Sequence, residues 1–225
     1  MYTVAKNTKL ISYALIAIGL IATVLGFIND THRAWTSLLI NNYFFLAISA
    51  FAIFFVALQY VSEAAWAVPF KRVAEGISSY FIVGGAVILL IIVAGGMHWH
   101  HIWHWMETGI TNPEAENYDA IIAGKKAYLN LPFFFIRAAV YIFGWWYASK
   151  RLIALSRKED TEGGLTSHKR SITISAIFIG FFGYTSSMMA WDWIMSIDSH
   201  WFSTLFGWFV FSSMGVTGFT MIAIM

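Results

Sequence analysis

The sequence predicts an all-α protein: a polytopic transmembrane helical bundle with a cytoplasmic N-terminus. Three observations lead there. Of 225 residues, 59% are hydrophobic, 18% aromatic and only 12% charged. With a mean hydropathy of +0.66, this is more apolar surface than a water-soluble domain of that size can bury. The apolar residues gather into six stretches near the length that crosses a bilayer. Lysine and arginine are dense on alternate connections only, the asymmetry that sets membrane orientation.

About 20 apolar residues at roughly 1.5 Å each cross a hydrocarbon core of about 30 Å. By that measure the spans are 9–28, 43–65, 77–97, 131–149, 171–191 and 203–225. Lys6 and Lys9 precede the first. Its apolar run is too long for a signal-peptide core and no small-x-small cleavage site follows, so it reads as retained. Pro69 is expected to break the second span, leaving Glu63 just inside that end. Pro132 suits the first turn of the fourth, where a missing N–H costs nothing. The sixth runs apolar to Met225 without a polar flank and reads as a chain cut at a helix end. Residues 1–225 then form one transmembrane domain: span 1 flanking, spans 2–5 a four-helix bundle, span 6 the start of a second bundle.

Lys71, Arg72, Lys150, Arg151, Arg157 and Lys158 fall on the side of Lys6 and Lys9, against Arg33, Lys125 and Lys126 on the other. The N-terminus is therefore expected in the cytoplasm, with the 98–130 loop and the 191–208 segment facing outward, into the periplasm if the membrane is a bacterial inner membrane. A net charge of +2 on scattered residues gives no nucleic-acid surface. The absence of cysteine excludes disulfides, thiolate-ligated clusters and Cys nucleophiles in this chain. No phosphate cradle, nucleophile elbow or His-Glu-x-x-His zinc motif is present.

Polar clusters remain at both faces. On the outer side, Met97-His-Trp-His-His-Ile-Trp-His-Trp105 carries four of the seven histidines. As a helix, His98, His100, His101 and His104 would spread over about 160° of one side, with Trp99, Ile102, Trp103 and Met106 opposite. That pattern predicts an amphipathic interfacial helix with imidazoles in water, or a contact to a partner. A buried haem is not expected, since every histidine lies outside the spans or at their rims. Arg137, early in the fourth span, must snorkel or meet an anion, and Asp192 at the outer end of the fifth has a compatible depth. The pair reads either as structural or as part of a polar pocket. Asp198 is expected to cap the sixth span, with a proton relay through Asp198 and His200 as the minority reading. On the inner side Lys71, Arg72 and Glu75 read as a solvated loop, residues 157–164 as a flexible turn, and Glu63 as a candidate mouth for protons.

Three segments carry a family resemblance: Trp66-Ala-Val-Pro-Phe-Lys-Arg-Val-Ala-Glu-Gly-Ile-Ser-Ser-Tyr80, Ile122-Ala-Gly-Lys-Lys-Ala-Tyr-Leu-Asn-Leu-Pro-Phe-Phe-Phe-Ile-Arg-Ala-Ala139 and Trp191-Asp-Trp-Ile-Met-Ser-Ile-Asp-Ser-His-Trp-Phe-Ser-Thr-Leu-Phe-Gly-Trp208. They resemble an integral membrane subunit of bacterial alternative complex III, a quinol:cytochrome c oxidoreductase. The subunit in question is the one that accompanies a sister membrane subunit at which quinol oxidation is usually placed. The resemblance implies an NrfD-like (polysulfide-reductase-C-like) fold, normally of ten helices, of which this chain would supply six. It departs from the family in the short 29–42 connection, which carries only His32. It implies no cofactor bound by this chain beyond quinol or quinone. Haem c and iron–sulfur clusters would sit in partner subunits: a multihaem cytochrome c and an iron–sulfur subunit beside the sister quinol-binding membrane subunit, with lipids around. The expected function is to support quinol oxidation and conduct protons. Enzyme activity by this chain alone is not expected. The alternatives are a purely structural scaffold or a stand-alone secondary transporter, the latter disfavoured because no span reads as a broken helix with a mid-membrane polar site.

Overall fold

The computed structural model describes residues 5–225, and among these the chain is helical with no strand. The helices are α1 (Lys6–Asn29), α2 (Thr31–Val61), α3 (Lys71–Ser78), α4 (Phe81–Gly96), α5 (Ala120–Gly124), α6 (Leu131–Glu162), α7 (Thr166–Trp193) and α8 (Phe206–Ile224). With Ala65–Gly96 counted as one, six helices among the described residues are long and apolar enough to cross a membrane. They alternate in direction. The 62–70 and 163–165 connections lie at the end where α1 begins, called here the near end, and residues 97–130 and 194–205 lie at the far end.

Helices α2, α4, α6 and α7 pack around one core, α8 lies across α2 and α7, and α1 packs on α2. The core is aromatic, with Phe81, Phe134, Phe182, Trp145 and Trp193 almost wholly buried. Leu10 to Leu25 of α1 keep their apolar side chains exposed, as a helix surrounded by lipid would. At 31 and 32 residues, α2 and α6 are about 45 Å long or more, against about 30 Å of hydrocarbon. As a membrane span, α6 would therefore carry its polar end past the bilayer as helix. Residues 157–162 belong to it, so the flexible turn expected at 157–164 shrinks to the two glycines Gly163 and Gly164, both at positive φ.

Two expectations about the spans are corrected. The second span ends at Val61, before Pro69, which sits inside a 3-10 turn over Ala65–Phe70. Glu63 therefore lies beyond the helix, exposed and in the left-handed region (φ 50°). The third span is also interrupted, at Ser79–Tyr80. Beside the break Asn42 donates to Gly84 O (3.0 Å), Tyr80 donates to Asn42 Oδ1 (3.0 Å), and Ser49 donates to Ser78 O (3.1 Å). Ser49 of α2 thus satisfies a carbonyl that the break releases, with the Asn42–Tyr80 pair beside it, which is the condition for irregular backbone at membrane depth. The premise that no span is broken does not hold.

Candidate functional site

The far end is built around one ion pair. Asn130 caps α6 by accepting from Phe133 N–H, with Pro132 in the first turn. Arg137 follows less than two turns later, while Asp192 occupies the last turn of α7. Arg137 Nε donates to Asp192 Oδ2 at 2.8 Å and Nη2 to Oδ1 at 2.9 Å, a bidentate fork. Nη1 donates to Tyr128 O at 3.1 Å and Tyr141 Oη donates to Asp192 Oδ2 at 3.0 Å. The guanidinium lies 4.0 Å from the Tyr128 ring centroid and 4.2 Å from that of Phe133. Asp192 is wholly buried and Arg137 only 7% exposed. The structure brings together the two residues that depth alone had matched. Tyr141 was missed, although its place four residues after Arg137 puts it on the same helix face.

A far-end cleft of about 400 Å³ opens beside this pair, lined by Tyr128, Trp191, Asp198, Lys125, Trp201 and neighbours, but not by Arg137 or Asp192. The Trp191 Nε1–H is buried without a partner. Trp201 and Trp208 are exposed, where indoles at a membrane boundary belong.

Asp198 does not cap the sixth span. Helix α8 starts at Phe206 with Leu205 at its cap position, and Asp198 instead accepts from His200 N–H (3.1 Å) in a local turn. The turn spends the carboxylate before the chain reaches the helix. His200 is joined by a residue the sequence reading did not single out: its Nε2 lies 2.7 Å from Asp119 Oδ2, while its Nδ1 is 4.0 Å from Asp198. Asp119 also accepts from Ile121 and Ile122 N–H as the cap of α5. Ile122 N–H, with His200 adding, holds its carboxyl below the usual range.

The expected interfacial helix over 97–105 is absent. His98 ends α4 in the left-handed region (φ 60°), and the segment folds back over the bundle. Trp103 Nε1 donates to Trp193 O (3.3 Å), a carbonyl at the end of α7, and Trp105 Nε1 donates to Ser196 Oγ (3.4 Å). Both rings meet Phe134 edge-on at 5.4 and 5.1 Å. Burying these indoles satisfies both their N–H groups and a helix-end carbonyl, which lying on the membrane surface would not. His100 is buried with them. Its Nδ1 accepts from Ile102 N–H, so its Nε2–H donates to Ile91 O (2.9 Å), the arrangement of a neutral imidazole. Burial lowers its pKa. His98, His101 and His104 stay exposed, His104 lying 3.1 Å from Glu107. Among the described residues, no group of three or more His, Asp or Glu could hold a metal ion.

The near end holds a second cluster. Lys71 Nζ reaches Tyr60 Oη (3.3 Å) and Glu159 (3.6 Å), and His168 Nδ1 lies 3.0 Å from the other Glu159 oxygen. Glu63 stands at the edge of the same cavity, remote from Arg137 and Asp192. The supposed solvated loop is partly buried. Glu75 is 6% exposed, one oxygen paired with Arg72, which also meets Asp160, and the other without a partner.

No known family model matches this sequence, and no curated protein matches it.

Proposed function

We propose that this chain is a membrane subunit of a respiratory quinol:cytochrome c oxidoreductase of the alternative complex III type, NrfD-like, in a bacterial cytoplasmic membrane with its N-terminus inside. It supports quinol oxidation at the far, outward end and moves protons between polar clusters at the two ends: Glu63 at the near end, and Arg137, Asp192, Asp198 and His200 at the far end. It binds no haem or cluster itself; a multihaem cytochrome c and an iron–sulfur subunit carry the electrons. The observation that carries the reading is the Arg137–Asp192 pair, which joins two of the three family-like segments inside the bundle. Ions at that depth are costly and are kept where they serve an assembly or a pathway. Beside them the 400 Å³ cleft, with its unpartnered Trp191 N–H, has room for a quinol head.

The test is gentle solubilisation of the native membrane with a tag on this chain. Co-purified c-type haem absorbance and an iron–sulfur electron-spin signal are expected. A chain that purifies alone, in several mild detergents, overturns the reading. One observation favours a second reading, a stand-alone secondary transporter: the interruption at Ser79–Tyr80 with Asn42, Ser49 and Ser78 around it. Isolation without redox partners, together with solute uptake into vesicles, would select it.

A further inference from the structure

The near-end cavity encloses about 290 Å³, close to the lower bound for small-molecule sites of about 300 Å³. Its walls are apolar: Phe55 and Val56 from α2, and Ala67 and Val68 from the 3-10 turn. Val68 is exposed on its other side, as is Trp66, which packs on Phe55. An apolar tail can therefore leave the cavity toward lipid.

The polar groups define the head that fits. Gln59 Oε1 is buried on the cavity wall with no hydrogen-bond partner, and a buried amide oxygen left unpaired is costly. Lys71 carries three N–H donors and meets two acceptors, Tyr60 Oη and Glu159, so one N–H is free. A turn of the Gln59 side chain, which lines the cavity, would bring this covered acceptor to the space beside the Lys71 donor, between apolar walls. Lys71 is the one lysine or arginine among the lining residues, against Glu63 and Glu159. With His168 on Glu159 as well, that balance disfavours a phosphate or carboxylate, the Lys71 ammonium disfavours a cation, and a neutral ligand is left.

We propose that this cavity binds the head group of a hydroquinone or quinone, at the opposite end of the bundle from the Trp191 cleft. One hydroxyl of the hydroquinone donates to Gln59 Oε1 and the other oxygen accepts from Lys71 Nζ. In the oxidised ligand the Gln59 amide turns and donates from Nε2 to a carbonyl. Phe55 flanks the ring. The choice of a quinone among neutral aromatic ligands rests on the proposed function; the cavity, its unpaired acceptor and its charge balance do not.

The test uses the full chain in nanodiscs of zwitterionic phosphatidylcholine, a photoreactive azido-quinone with a decyl tail, and peptide mapping by mass spectrometry. Label is expected on the peptides covering 55–71. Gln59→Leu should weaken labelling by about tenfold, as loss of a buried hydrogen bond would. Ala67→Trp should fill the cavity and abolish labelling, while Asp198→Asn at the far end should leave it unchanged. Should Ala67→Trp fail to fold, Gln59→Leu at a half-buried position carries the test. Labelling equal in Gln59→Leu and wild type, label found only on 191–202, or displacement by phosphatidylglycerol would each overturn the site. The two proposals fail separately. Co-purification with haem and iron–sulfur subunits without label on 55–71 removes only this site, and label there on a chain that purifies alone removes only the complex.

Discussion

Arg137 and Asp192, separated by 55 residues, share two hydrogen bonds of 2.8 and 2.9 Å inside the bundle and fasten the start of α6 to the end of α7. Each removes the other's reason to leave. Removing one partner of a buried pair strands the other, at a cost of about 3–5 kcal/mol, whereas replacing both by apolar residues of similar size is often tolerated. Asp192→Leu and Arg137→Met should each lower the melting temperature of the purified chain sharply, and the double variant should recover most of the loss. A double variant as unstable as the worse single one would show that the pair is not the coupled unit described.

Trp103 and Trp105 pin the far-end loop through Trp193 O and Ser196 Oγ. Trp103→Ala removes a fully buried indole, a loss of about 3–5 kcal/mol. Limited proteolysis should then cut within 107–118 at enzyme levels that leave the wild type intact. Unchanged cleavage would mean that other contacts hold the loop.

His100 gives the fold a pH dependence with a defined sign. Its folded pKa is lowered from 6.5, first by burial and further by repulsion from His101 and His32. Its folded state binds the proton less readily than its unfolded state. The stability it contributes is therefore fully present above about pH 6.5 and is lost as the pH falls through its lower folded value. The melting temperature should decline below about pH 6.5, and the decline should be shallower in His100→Gln, which retains an N–H for Ile91 O. Parallel pH profiles would assign the effect to other groups.

Gly207 lets α8 approach α7. A Cβ built there would lie 2.8 Å from Ser187 Cβ and 3.1 Å from Ser187 Cα, the latter on backbone that cannot swing aside. Small residues permit such close helix contacts in membranes. Gly207→Val should destabilise the chain by about 1–3 kcal/mol through overpacking, measured against Gly180→Val, where a Cβ meets nothing within 4 Å. Equal melting temperatures for the two variants would refute the close packing.

The 3-10 turn at Ala65–Phe70, the break at Ser79–Tyr80 and the buried Trp103 each show where local reasoning stops. The hydropathy of 77–97 reads as one span because a break between Ser79 and Tyr80 leaves the apolar count unchanged; what permits it is Ser49 of α2 meeting the freed Ser78 carbonyl, with Asn42 of the same helix holding Tyr80 and Gly84 beside it. The 97–105 run has helical periodicity on paper, yet indole N–H groups found partners on Trp193 and Ser196, some 90 residues away. Asp198 carried a cap signal that His200 N–H took up first. Arg137 and Asp192 were legible as a pair because membrane depth is a one-dimensional quantity that sequence position reports. Tyr60, Lys71, Glu159 and His168 were not, since depth does not say which helices are neighbours.

The sequence by itself determined that this chain is helical, that six helices among the described residues are apolar enough to cross a membrane, and that Arg137 and Asp192 would lie at matching depths. Those follow from composition and from a fixed rise per residue. Only the tertiary structure decided which polar groups meet: Asp192 with Arg137, Asp119 with His200, Lys71 with Glu159, and Gln59 Oε1 with no partner at all. The reason is physical. Where water is scarce a buried polar atom left unpaired is costly, and its pairing is decided across helices, which no single segment encodes.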